Sequence, residues 1–85
     1  MQIELKLYGQ LRRYRPKDNP GVPHHAFTLT VEEGITGTDL ATQLGIPDGL
    51  VNAAAVNGEA TELNTTLHEG DKVSFFPPSA GGNSV

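Results

Sequence analysis

Apolar residues in this chain recur two apart, in short runs near both of its ends. Ile3, Leu5 and Leu7 alternate with Gln2, Glu4 and Lys6, and Val73 and Phe75 alternate with Ser74 and Phe76. Successive side chains of a strand point to opposite faces, so this spacing predicts a first and a last strand, each burying one face. Phe27, Leu29 and Val31, separated by Thr28 and Thr30, predict a second strand that ends at Glu33-Gly34. Pro77-Pro78 should stop the last strand, because proline has no N–H for the ladder.

The period changes once, between Thr36 and Gly45. Thr36 with Asp39 fits a capping signal, Leu40 and Leu44 share one face, Gly45 is a suitable stop and Pro47 prevents continuation. A helix this short is marginal alone, since isolated helices need about 12 to 15 residues, so its apolar stripe must pack on a sheet. Ala53 to Val56, the turn dipeptide Asn57-Gly58 and Ala60 to Leu63 then predict a hairpin, followed by Leu67 and a turn at Glu69-Gly70-Asp71. Pro16, Pro20, Gly21 and Pro23 predict a long irregular loop between the first two strands. The result is an α+β fold, a mixed sheet of four to five strands with one main helix on one face. Residues 1–78 form the single domain that 85 residues allow, and residues 79–85, with nothing to bury, form a flexible tail containing Gly81-Gly82.

Composition narrows the function. The chain has no cysteine, so disulfides and thiolate chemistry within it are excluded, and any sulfur it handles comes from outside. A net charge of −4 argues against nucleic acid, which demands a basic face. No apolar run approaches the ~20 residues of a membrane span, and the alternating start is unlike a signal peptide, so a cytoplasmic protein is expected. His24, His25 and His68 lack the spacing and companions of a metal site, and neither a phosphate-binding glycine loop nor a nucleophile with base and orienting acid is present.

Two features remain. Arg12, Arg13, Arg15 and Lys17 crowd into six residues, either a solvated loop or an electrostatic docking patch for an acidic partner. Tyr8 and Phe76 fall out of phase with the core-facing positions of their strands, so they should share an outward apolar patch, with Pro77 and Pro78, at the root of the tail.

The order of elements, with "LKLYGQLRRY", "GTDLATQLGIP", "AVNGE" and "LHEGDKVSFFPPSAGG", resembles the MoaD/ThiS family of small sulfur-carrier proteins, which have the ubiquitin-like β-grasp fold. In its C-terminal motif the chain is most similar to the molybdopterin-synthase small subunit. The resemblance implies a carrier and not a catalyst. An E1-like adenylyltransferase would use ATP to activate the carboxylate of Gly82, and a sulfur donor would displace AMP to leave a thiocarboxylate. Gly81 and Ala80 would thread a narrow channel, which small side chains permit. A molybdopterin-synthase large subunit is a further partner; no cofactor would be bound, and the free carrier would be a monomer. The same activated Gly82 would also serve a ubiquitin-like modifier that acylates lysines. Asn83-Ser84-Val85 stands beyond the working glycine. It implies a proform trimmed by a processing peptidase, or else a β-grasp interaction module whose tail is idle.

Overall fold

A computed structural model describes residues 1–16, 26–47 and 49–78. Five strands form one sheet: β1 (Gln2–Leu7), β2 (Phe27–Thr30), β3 (Ala53–Val56), β4 (Glu59–Thr61) and β5 (Lys72–Phe76), in the order β2-β1-β5-β3-β4. β1 runs parallel to β5 and antiparallel to β2, while β3 pairs antiparallel with both β5 and β4. The sheet is therefore mixed, a ubiquitin-like β-grasp with helix α1 (Gly37–Gln43) joining its two halves.

Alternation decides which face is covered. Ile3, Leu5, Leu7, Phe27, Ala54, Val73 and Phe75 are buried in one cluster with Leu40 and Ala41 of α1, and the intervening side chains lie on the other face. Fully burying an aliphatic or aromatic side chain contributes roughly 1.5 to 3 kcal/mol, so this two-layer core holds a helix that would not persist alone.

The helix ends are built from local chemistry. The Thr36 hydroxyl accepts from the Asp39 N–H at 3.1 Å, and the Asp39 carboxylate accepts from the Thr36 N–H at 3.3 Å. Two otherwise orphan donors, Gly37 N–H and Thr38 N–H, reach the carbonyls of Thr65 and Leu63. At the other end Gly45 has φ +81°, its N–H donates to Thr42 and that of Ile46 to Ala41, which is a Schellman closure. In the β3–β4 hairpin Asn57 and Gly58 both have positive φ (54° and 87°), as a type I′ turn requires.

Three boundaries differ from the sequence expectation. The segment after β1 is not irregular from its start: Gly9–Tyr14 forms a 3-10 helix, pinned by Leu11, which is 0% exposed. A single apolar side chain has no period, which is why that turn was not evident in sequence. The return strand of the hairpin is Glu59–Thr61 and not Ala60 to Leu63, because the Thr65 N–H donates to Glu62 and turns the chain early. Val31 lies just past β2, yet it exchanges hydrogen bonds with Met1 at 2.8 Å in both directions, extending the ladder one pair.

Candidate functional site at the tail root

Because β1 and β5 are parallel neighbours, their C-terminal ends lie side by side. Register places Leu7 beside Phe75, so the next residues, Tyr8 and Phe76, meet on the face away from α1. Their rings stack with centroids 4.5 Å apart and planes inclined by 25°. Offset aromatic pairs of this kind contribute about 0.5 to 1.5 kcal/mol beyond the area they bury. The Lys6 ammonium lies 5.0 Å from the Tyr8 ring centroid, within cation–π range. Both rings remain half-exposed.

The backbone under this stack is fixed from both sides. The Tyr8 N–H donates to Phe75 at 3.2 Å, and the Asn52 N–H to the Phe76 carbonyl at 2.8 Å. Pro77, which follows, rests against Gly9. Gly9 has φ +57°, and a Cβ at this position would stand 3.0 Å from the Pro77 Cγ. Glycine is thus required twice here, for its left-handed backbone and for the close approach of the proline ring. Neither Pro77 nor Pro78 can donate to β3, so the sheet releases the chain at this point.

The structure brings Tyr8, Phe76 and Pro77 together, with Pro78 half-buried next in sequence. Arg12 and Arg13 are exposed on the 3-10 helix. Arg15 has a packing use as well, its guanidinium 4.4 Å from the centroid of the buried Phe27 ring. Ala80, Gly81 and Gly82, with Lys17, His24 and His25, lie outside the described residues. Among the described residues no three of His, Cys, Asp and Glu gather as metal ligands, and no helix is long and apolar enough to cross a membrane. Sequence reasoning missed Gly9, since its partner Pro77 is distant in the chain. The tight Tyr-Gly junction directly after an alternating strand was the only local signal.

Residues 5–82 match the model of the ThiS family. The chain belongs to the ThiS family. As expected of a ThiS-family chain, it is similar to small β-grasp proteins of known structure. SAMP1 from Haloferax volcanii is 23% identical, with 96% of this chain and 100% of that one covered and a TM-score of 0.63. The Haloferax volcanii HVO 2177 protein is 25% identical over 96% of this chain and 87% of its own, with a TM-score of 0.71. A chain in the Helicobacter pylori complex of molybdopterin-converting factor subunits 1 and 2 is 26% identical, with 96% and 100% covered and a TM-score of 0.55. No curated protein matches the sequence significantly. The ThiS match ends at Gly82, three residues before Val85.

Proposed function

We propose that this ThiS-family protein carries sulfur on the carboxylate of Gly82, without catalysing a reaction of its own. The observation that carries the reading is the family match running through Gly82, on a domain whose last strand ends at an outward aromatic stack. Hydrolysis of the peptide bond after Gly82 by a processing peptidase removes Asn83-Ser84-Val85 and frees the carboxylate. The carboxylate attacks the α-phosphorus of ATP on an E1-like adenylyltransferase, and pyrophosphate leaves. Hydrosulfide, delivered by a donor, then attacks the acyl carbon; AMP leaves, one proton is released and a thiocarboxylate remains.

In this scheme the fold contributes a rigid starting point and a partner-binding surface. Tyr8, Phe76, Pro77 and Pro78 form the docking patch, while Ala80 and Gly81 thread the channel. Residues 79 to 82 reach at most about 14 Å when extended, which sets the depth at which the partner must hold the ATP phosphorus. Ordering that thread costs about 1 to 2 kcal/mol per residue, so the patch must supply much of the binding energy. An ATP-consuming cycle suits the cytoplasm.

Similarity to subunit 1 within the Helicobacter pylori complex supports molybdopterin as the pathway and a synthase large subunit as acceptor. A modifier would share the first step and diverge only when a lysine amine, in place of hydrosulfide, attacks the acyl adenylate. The test is to incubate the form ending at Gly82 with its adenylyltransferase, ATP and sulfide, then read its mass. Thiocarboxylate on the wild type, lost in a folded Gly82→Ala variant, is the expected result. A folded Gly82→Ala variant that still acquires sulfur overturns the assignment, and an isopeptide on a target lysine assigns the modifier role instead.

A further inference from the structure

Although the chain is acidic overall, its charges are not mixed evenly along the sheet. Lys6 and the 3-10 helix arginines, Arg12 and Arg13, sit at the end where β1 and β5 finish, and Arg15 lies beside them over Phe27. Acidic side chains gather at the other end. Glu32 and Glu33 follow β2, whose Thr30 faces Gln2; Glu69 accepts from the Gln2 N–H at 2.9 Å; and Asp71 precedes β5.

Other described charges run against the pattern without cancelling it: the Met1 ammonium, bonded to Val31 beside Glu32, and Lys72 at the acidic end, Glu4 two residues from Lys6 on the outer face of β1, Glu59 level with Leu5, and Glu62. Lys72 lies at the acidic end, but its neighbours are Asp71 and, across the parallel pair, Glu4. Glu62 is level with the tail root but on the far side of β4, three strands from β1 and so about 14 Å away at 4.7 to 4.9 Å per strand. The two ends of β1 are about 17 Å apart at 3.3 to 3.4 Å per residue. The Debye length at physiological salt is about 8 Å, so a partner meeting one pole scarcely senses the other.

The geometry points to a carrier that is steered tail-first: we infer that the basic pole around Lys6, Arg12 and Arg13 docks on a carboxylate-rich protein surface around the mouth of the partner's channel, while the acidic pole is repelled by that surface. This deepens the sulfur-carrier reading and rests on it. Lys6 reaches the same aromatic stack as Tyr8, and Gly9 joins the 3-10 helix to Pro77, so positive charge borders the apolar patch and the exit of the tail. Steering of this kind raises association rates roughly 10- to 1,000-fold and acts mainly on kon.

The experiment measures kon and koff between the form ending at Gly82 and its adenylyltransferase at low and high ionic strength. Arg12→Glu/Arg13→Glu should lower kon about tenfold or more at low salt, with the deficit shrinking as salt rises and koff little changed. Glu32→Lys/Glu33→Lys, at the other pole, should leave kon within about twofold. Thermal melts check both folds, and Arg12→Gln/Arg13→Gln should give an intermediate rate. If wild-type binding is indifferent to salt, or reversal at either pole acts equally, the inference is overturned while the carrier reading stands. If the wild-type form neither binds nor is adenylated at any ionic strength, the carrier reading falls and the inference with it.

Discussion

Adding one methyl group at Gly9 tests how the tail root is held. Gly9 is in left-handed backbone, φ +57°, where an L side chain costs about 1 to 2 kcal/mol. The new Cβ would also stand 3.0 Å from the Pro77 Cγ, inside the 3.5 to 4.0 Å optimum for carbon pairs. Overpacking a tight site typically costs about 1 to 3 kcal/mol, and a half-exposed proline at the sheet's end can yield, so the lower end applies. Gly9→Ala should therefore cost about 2 to 3 kcal/mol in all. For a domain of 60 to 100 residues each kcal/mol moves Tm by about 4 to 8 °C, which gives a fall of roughly 8 to 24 °C by calorimetry.

A double-mutant cycle separates the two causes. In a Pro77→Ala background the collision is gone and only backbone strain remains, so the cost of Gly9→Ala should drop by about 1 kcal/mol. Displacing Pro77 also re-aims the tail, and a misplacement of about 1 Å can cost on the order of a hundredfold in rate. Adenylation of Gly9→Ala, measured well below its Tm, should be slower by far more than its unfolded fraction explains. A coupling below about 0.3 kcal/mol, or full adenylation at a fully folded Gly9→Ala, would refute the claim that Gly9 and Pro77 set the direction of the tail.

Other predictions follow from the same geometry. Gly37→Ala puts a Cβ 2.7 Å from the Leu63 carbonyl oxygen, which is backbone and cannot swing away; an overpacking cost of about 1 to 3 kcal/mol should exceed the ~1 kcal/mol helix-propensity gain and lower Tm. Thr36→Ala removes the acceptor of the capping box and should cost about 1 kcal/mol in urea unfolding. Phe76→Ala should cost only about 1 kcal/mol of fold stability, since the ring is half-exposed, yet weaken partner binding at least tenfold in calorimetry; equal affinity would remove the aromatic stack from the docking patch.

The elements legible in the sequence were those that repeat a pattern. Alternation marked β1, β2 and β5, and paired signals at Thr36, Asp39 and Gly45 marked both ends of α1, because those interactions are local and leave a fixed spacing. The Tyr8–Phe76 pair followed from phase plus one assumption, that the first and last strands are neighbours. What stayed hidden depends on distant partners. Leu11 is one apolar residue among polar ones, and only the packing of its 3-10 helix against β1 and β5 explains its burial. The contact between Gly9 and Pro77 joins residues whose proximity no local period announces, while the end of β4 is set by a local turn, Thr65 N–H to Glu62, that carries no glycine or proline to mark it. The charge poles were invisible for the same reason, since Glu32, Glu69 and Asp71 come to one end only through the pairing of β1 with β2 and β5.

The central claim concerns one atom at Gly82, and an intact mass of the protein isolated from its own cells addresses it directly. The account predicts a species ending at Gly82, part of it heavier by the difference between sulfur and oxygen. A population that ends entirely at Val85, with no sulfur-bearing form, would contradict the carrier reading and leave the β-grasp domain as a binding module with an idle tail.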